Sequence, residues 1–305
     1  MGDSLSLITG AGGFIGHRLR HPGARALVRG AANVGEMVGD LADCESLRRA
    51  CEGVDQVFHC AGYAHASSPS SSSSESSTHW RINYEGTRNL LNAAGRAGVR
   101  SFVFLSSVKA MAEPGDQCVS ENWPGEPQTP YGYAKRAAEN EVLEAGAKYG
   151  MHVVNLRLAM VYGRGGRGNL ERMARAVRSG WFPPLPETNN RRSIVHVQDV
   201  VEVMRLVAER SEANGMTYIV ADSRAYSGRE IYEAIRVALG LSPTPMFSVP
   251  ASLLLSAGRL DKRLGRAIDR LIASACYSPL RIELELGWRS RITLAEGLRE
   301  MLLFP

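Results

Sequence analysis

The chain is predicted to be an α/β protein built on a doubly wound parallel sheet, and three observations carry that expectation. Short apolar runs alternate with helical patterns through the first half of the sequence. The runs lack polar alternation, as strands covered on both faces do. A glycine-rich turn stands between the first run and the first helical pattern, where a phosphate-binding turn has to stand.

The elements follow in order. Leu5-Ser6-Leu7-Ile8-Thr9 is the first strand and ends on glycines. Ala26-Leu27-Val28 is the second. Glu36-Met37-Val38, before Gly39-Asp40, is the third. Gln56-Val57-Phe58-His59-Cys60 is the fourth, Ser101-Phe102-Val103-Phe104-Leu105 the fifth and His152-Val153-Val154-Asn155-Leu156 the sixth. Helical patterns cover 44–51, 84–97 and 133–149, as crossovers between parallel strands require. The first helix is short, because His21-Pro22-Gly23 interrupts it. The serine-rich stretch 67–78 has too little apolar surface to fold alone and is expected to be a mobile surface loop.

Beyond residue 160 the composition changes. Glycines, prolines and aromatics cluster over 162–186. Ile194-Val195-His196-Val197 is a further strand, with Asp199 expected to cap a helix over 200–209. Ser227-Gly228-Arg229-Glu230 and Thr293-Leu294-Ala295-Glu296 are capping boxes. Ser278-Pro279 opens a helix that stops near Gly287. The expected division is a cofactor-binding unit over 1–160, to which 190–210 returns, and a substrate-binding region over 161–305.

Composition narrows the function classes. The 305 residues carry a formal charge of +5, without a basic stripe of the kind that binds nucleic acid. No apolar run reaches the length of a membrane span. The first residues lack a basic stretch and a cleavage site, so a secretory leader is not expected, and the reading is cytoplasmic. Met1-Gly2 and Ser6 fit a loose lipidation pattern, but a buried strand beginning at Leu5 leaves Gly2 almost no spacer. Cys44, Cys51, Cys60, Cys118 and Cys276 form no Cys-x-x-Cys pair. They are expected to be buried thiols, with neither a metal site nor a disulfide framework.

The turn itself reads Thr9-Gly10-Ala11-Gly12-Gly13-Phe14-Ile15-Gly16. Its glycines allow close approach to a pyrophosphate, and the helix that follows offers free N–H groups and partial positive charge. Gly10, Gly12, Gly13, Phe14, Ile15 and Gly16 are therefore cofactor candidates. The residue ending the second strand selects the cofactor: an acid bonds the ribose 2′-hydroxyl of NAD, and an arginine suits the 2′-phosphate of NADP. Here it is Arg29, so the expected cofactor is NAD or NADP, with a tilt toward NADP. Asp40 and Leu41 are placed beside the adenine. Cys60, Ala61 and Gly62 are expected to line the cofactor through their backbone.

Tyr131 and Lys135 are four residues apart at the start of a helix and share its face. A phenol has a pKa near ~10 and needs a shift of about 3 units to act as a base near neutrality; a neighbouring ammonium and a cationic nicotinamide favour that ionisation. Lys135 can also hold the nicotinamide ribose. Ser106-Ser107 ends the fifth strand, at the carboxyl edge where ligands bind. Ser107 is taken as the hydroxyl that bonds the reacting oxygen, with Ser106 as the alternative.

In this order, the segments 9–16, 59–62, 83–87, 106–107, 131–135 and 157–163 resemble the landmarks of the extended short-chain dehydrogenase/reductase family over nearly the whole chain. The resemblance implies a Rossmann domain with a smaller C-terminal α/β substrate domain, and a homodimer formed through two helices. It carries the catalytic serine, tyrosine and lysine onto Ser107, Tyr131 and Lys135. Within the family the chain looks like the sugar-nucleotide epimerases and reductases. Ser106-Ser107-Val108-Lys109 is similar to a branch acting at C4 of UDP-N-acetylhexosamine-type sugars. Met160 stands where many 4-epimerases have asparagine. Asn169 matches a segment touching the nucleotide, and Arg192 matches an arginine that binds the diphosphate. A second diphosphate arginine has no match. The dehydratase pattern Thr-Asp-Glu is replaced by Ser107-Val108-Lys109, which argues against dehydration. The expected activity is C4 epimerisation of a UDP-sugar. The alternatives are reduction of a 4-keto sugar nucleotide and, more distantly, a hydroxysteroid-type dehydrogenase or a non-catalytic cofactor-binding scaffold.

Overall fold

A computed structural model describes residues 4–30, 32–64, 73–182, 184–243, 250, 256 and 273–303. In chain order they form strand β1 (Ser6–Thr9), helix α1 (Gly16–Leu19), β2 (Ala24–Val28), β3 (Glu36–Val38), α2 (Cys44–Cys51), β4 (Gln56–His59) and α3 (Ser73–His79). A π-helical turn (Trp80–Glu85) then runs into α4 (Gly86–Arg96), followed by β5 (Ser101–Ser107), β6 (Cys118–Val119), α5 (Pro130–Tyr149), β7 (His152–Leu158) and β8 (Met160–Tyr162). The remainder is α6 (Asn169–Arg178), β9 (Ile194–His196), α7 (Val197–Glu209), β10 (Met216–Val220), α8 (Gly228–Ala238), β11 (Cys276–Tyr277), α9 (Leu280–Leu286) and α10 (Leu294–Leu303).

Seven strands make one sheet in the order β10-β7-β5-β4-β1-β2-β3, and every neighbouring pair is parallel. The order reverses between β1 and β4, so the chain leaves these neighbours in opposite directions and opens a crevice at their carboxyl ends. The strands bury both faces. Leu7, Val57, Phe102 and Phe104 pack against Leu47 of α2, Leu90 of α4 and Val142 of α5. Ile8, Phe58, Val103 and Val154 face the other way, onto Val200, Val203 and Met204 of α7. A third core joins α6, α8 and α10 through Leu170, Met173, Ile231, Tyr232 and Leu298. The edge strand β10 is one that no run in the sequence announced.

Local chemistry explains the helix boundaries. Thr129 caps α5 by accepting the Gly132 N–H, Pro130 occupies its first turn, and Gly150 closes it at φ 64°. Both capping boxes form, at Ser227 with Glu230 and at Thr293 with Glu296.

Four expectations are corrected. Cys118 and Cys276 are joined in a disulfide, with Cα atoms 4.5 Å apart and a sequence separation of 158. The cause is the parallel pairing of β6 with β11, which sets the two cysteines opposite each other. Of the other thiols, Cys51 is buried, Cys60 half-buried and Cys44 exposed. Asp199 does not cap α7, which begins two residues earlier with His196 as its cap. Its carboxylate instead accepts the Arg291 and Ile292 N–H groups at 3.0 and 3.2 Å, tying down the approach to α10. Within the serine-rich stretch, residues 73–78 belong to α3 and the π-turn extends it to α4, so the helical run starts well before residue 84. Residues 67–72 lie outside the described residues. Among the described residues no helix is long and apolar enough to cross a membrane.

Candidate active site

The glycine turn closes over the crevice between β1 and β4. Gly10 has φ +67°, and a Cβ there would lie 2.7 Å from the Ala61 nitrogen. A Cβ at Gly16 would strike the Gly10 carbonyl, and at Gly13 it would come to 3.0 Å of the same oxygen. Only glycine lets the two loops meet. Gly12 faces open space, and Gly12 and Gly13 are exposed. The cradle therefore suits a pyrophosphate approached by backbone. Since α1 has only four residues, the loop N–H groups carry more of that attraction than a helix dipole does. The Phe14 ring lies 5.0 Å from the Arg18 guanidinium, and Ile15 packs on the core.

At the ends of β2 and β3, Arg29 and Asp40 line one cavity of about 410 Å³ together with Val38, Asp43, Ser46 and Arg49. Leu41 is not on that wall. Its carbonyl accepts from Asn89 at 3.0 Å, and its side chain packs where a Cβ on Gly86 would stand.

A buried relay braces the floor of the crevice. The Ala61 N–H donates to Thr9 Oγ1 at 3.2 Å, and Thr9 Oγ1 lies 2.6 Å from His59 Nδ1. His59 Nε2 is 2.9 Å from Thr87 Oγ1, which donates to the Asn83 carbonyl at 2.7 Å. Because the Thr87 proton is committed, His59 donates from Nε2 and accepts at Nδ1, which defines a neutral tautomer. Burial, and secondarily the charge of Lys135, depress its pKa from 6.5 to about 3. The sign follows: the unfolded chain binds this proton below about pH 6.5 and the folded chain only near pH 3. Stability from His59 is thus present above pH 6.5 and is lost as pH falls toward 3, by up to about 5 kcal/mol. Thermal midpoints are expected to fall over this window. In His59→Gln, which keeps a donor and an acceptor, the difference from the parent should shrink steadily on acidification; a constant difference would contradict the relay.

Asn83 extends this brace. Its side chain accepts the Tyr63 N–H at 2.8 Å and donates to the Tyr63 carbonyl at 3.0 Å, clamping the segment after β4. The buried His79 ring, one turn earlier, packs edge-on to Tyr131 at 5.6 Å and against Tyr63 at 4.9 Å. Neither residue was assigned a role from sequence. The signal was available in their i, i+4 spacing, which puts both on one helical face.

The strand end and the start of α5 bring Ser107, Tyr131 and Lys135 together. The Ser107 Oγ accepts the Lys109 N–H at 3.2 Å, so its own proton is available to another oxygen. Burial raises the Tyr131 phenol above its ordinary pKa, and the Ser107 hydroxyl pulls the other way. The Lys135 Nζ donates to the Leu105 carbonyl at 2.7 Å and lies 4.5 Å from the centre of the Phe104 ring. Burial is the larger influence at Tyr131. Burial also pushes Lys135 down to about 8, opposed by Glu139 and Cys60. A Cβ on Gly62 would stand 3.6 Å from that ammonium, so the glycine keeps the approach to it open. Burial pushes the Cys60 thiol up to about 12, which leaves its backbone as the part suited to a ligand.

Ser106 is committed elsewhere. It donates to Glu139 at 2.6 Å, and Arg157 grips the same carboxylate with two bonds of 2.9 and 2.7 Å. Tyr131, Lys135 and Glu139 follow at four-residue intervals, so one face of α5 carries the reactive groups and their anchor.

The substrate candidates converge as well. Met160, Asn169 and Arg192 line one cavity of about 270 Å³, with Arg172, Phe182 and Ile231 among its other walls. Arg192 is held in place by backbone bonds to Tyr226 of 2.9 and 3.0 Å, and its guanidinium donates to the Ala273 carbonyl at 2.9 Å. Burial lowers its pKa, while Tyr277 and Glu113 raise it.

A parallel sheet of this order, with a glycine cradle at its switch point and the Ser107–Tyr131–Lys135 group beside it, defines a dinucleotide-dependent enzyme of the extended short-chain dehydrogenase/reductase kind. Residues 6–221 match the NAD dependent epimerase/dehydratase family, and the chain belongs to that family. It is 29% identical over 312 residues to a UDP-glucose 4-epimerase of Vibrio cholerae, covering 96% of this chain and 93% of that one. It is 28% identical over 319 residues to a dTDP-glucose 4,6-dehydratase of Streptomyces griseus, covering 96% and 91%. Among solved structures it resembles MoeE5 in complex with UDP-glucose and NAD, with a TM-score of 0.76, 26% identity and coverage of 98% and 97%.

Proposed function

We propose that the chain is a nucleotide-sugar C4 epimerase acting on a UDP-hexose or UDP-N-acetylhexosamine through a transient 4-keto sugar. The observation that carries this reading is the pairing of two sites: a Ser107–Tyr131–Lys135 group beside the cofactor crevice, and a separate cavity that gathers Met160, Asn169 and Arg192. The first suits proton transfer at a secondary hydroxyl, and the second suits the nucleotide diphosphate that holds it. The 4-epimerase relative supports the same assignment.

Bound NAD supplies a hydride acceptor and donor at the sugar carbon. Tyr131 would take the C4 hydroxyl proton and return it to the same oxygen once the 4-keto sugar has turned its other face to the nicotinamide. Ser107, with its proton unclaimed by the backbone, bonds the C4 oxygen. Lys135 holds the nicotinamide ribose and keeps a positive charge at the site. Arg192 binds the diphosphate, and Met160 walls the sugar with an apolar surface in place of an amide. Ser107-Val108-Lys109 lacks the acids that dehydration uses, so the reading departs from the dehydratase relative.

One observation favours a second reading, an NADPH-dependent 4-keto reductase. Arg29 and Arg49 line the same cavity at the end of β2 and suit a 2′-phosphate. A homodimer would use α4 and α5; on the π-helical turn that leads into α4, Trp80 is exposed beside Tyr84.

The test incubates purified protein with UDP-N-acetylglucosamine or UDP-glucose and NAD and follows the anomeric signals by proton NMR. The galacto epimer should appear without net NADH. NADPH consumption with a 4-keto sugar nucleotide, and no epimer, would move the assignment to the reductase. Arg192→Ala is expected to raise KM for the sugar nucleotide far more than it lowers kcat; unchanged KM would remove the diphosphate role.

A further inference from the structure

We infer that the solvent face of α6 and the turn that follows it form a docking surface for an anionic phospholipid bilayer. This goes beyond the proposed reaction and does not depend on it.

Arg164, Arg167, Arg172, Arg175 and Arg178 fall within fifteen residues and all are exposed. The sole acid between residues 163 and 182 is Glu171, which is buried and turned inward to accept the Gly163 N–H. The exposed arginines Arg48, Arg100, Arg224, Arg289 and Arg291, by contrast, each meet a carboxylate. Among the described residues, Arg167, Arg172, Arg175 and Arg178 form no such pair. Arg178 donates instead to the neutral Leu302 carbonyl at 3.0 Å, which leaves its charge uncompensated. The result is a positive field of one sign on this face.

An apolar anchor adjoins this field. Trp181 is 88% exposed, although its backbone is fixed, with its N–H bonded to the Ala176 carbonyl at 3.0 Å. Gly180, at φ +72°, makes the turn that projects it. The exposed side chains of Val237 and Leu241 share a shallow cavity with Arg178. An exposed tryptophan, apolar neighbours and arginines without carboxylates are the combination that sits at a lipid headgroup layer. Nucleic acid fits less well, because the aliphatic side chains have no counterpart on a phosphate backbone. Arg172 belongs to both the patch and the wall of the substrate cavity, so docking by this face sets that cavity beside the headgroups.

The test is co-sedimentation of the full chain with vesicles. Those of phosphatidylglycerol and phosphatidylcholine in equal parts should bind the chain, those of phosphatidylcholine alone should not, and high salt should release it. Arg175→Ala with Arg178→Ala should lower partitioning about 25-fold, about fivefold for each basic residue from ~1 kcal/mol at an anionic surface. Trp181→Ser should weaken binding at constant charge. Thermal midpoint and turnover of these variants should stay at the parent values, which separates loss of docking from loss of fold. Failure to bind the anionic vesicles would overturn the proposal, as would equal binding by the double variant. Binding to duplex DNA with the same salt and arginine dependence, in place of vesicle binding, would overturn it in favour of nucleic acid.

Discussion

Replacing Tyr131 with phenylalanine is expected to lower kcat by about 10²–10⁴-fold, the usual contribution of a positioned general acid–base. The change deletes one oxygen and leaves the ring, so the edge-on contact with His79 and the first turn of α5 persist. Binding of the dinucleotide, read by fluorescence titration, should change little, because the glycine cradle and Lys135 are untouched. Retention of a tenth or more of the parent turnover would remove Tyr131 from the chemistry. A pH series adds a second readout. Burial has pushed the Lys135 ammonium down to about 8. Parent kcat/KM should therefore fall as pH rises through that value and the site loses its positive charge. A profile flat to pH 10 would show that turnover does not need the charged lysine.

Replacing Glu139 with alanine is expected to cost about 3–5 kcal/mol of stability, the size seen when one partner of a buried ion pair is removed. The carboxylate accepts from Ser106 and twice from Arg157, and both it and Arg157 are buried. Truncation leaves the buried guanidinium with the Glu121 carbonyl as an acceptor, at 3.0 Å. The thermal midpoint should drop by on the order of 10 °C. Removing Arg157 as well, as Glu139→Leu with Arg157→Met, should recover part of the loss, since no uncompensated charge remains. Additive losses in the double variant would show that the pair acts through packing alone. The same substitution reaches the chemistry, because Glu139 holds the Lys135 pKa up. Below its unfolding temperature, Glu139→Ala should therefore lose kcat/KM at a lower pH than the parent.

What could be read from the sequence was read over short distances. Gly10, Gly13 and Gly16 announce a tight approach because glycines spaced three residues apart leave the backbone few other uses. The helix carrying Tyr131 and Lys135 is legible from Thr129, Pro130 and the four-residue spacing, and the same spacing would have reached Glu139. Ser227 with Glu230, and Thr293 with Glu296, declare helix starts through bonds that close within three residues. In each case the energetics are local, so the pattern survives without knowledge of the fold.

Tertiary structure decided what depends on partners far along the chain. The choice between Ser106 and Ser107 turned on a carboxylate 33 residues away. Asp199 has the look of a helix cap, but the N–H groups of Arg291 and Ile292, 92 and 93 residues on, compete for its oxygens. Cys118 and Cys276 meet because β6 and β11 pair, an event that no cysteine spacing encodes. Met160, Asn169 and Arg192 share a cavity, and Arg49 joins Arg29, through the packing of separate elements. By itself the sequence determined the class of sheet, the cofactor turn and the spacing of the reactive pair, since these rest on backbone sterics and helical period. The brace beneath the site, its electrostatics and the joining of its two halves were left to tertiary structure, because burial and long-range closure set them.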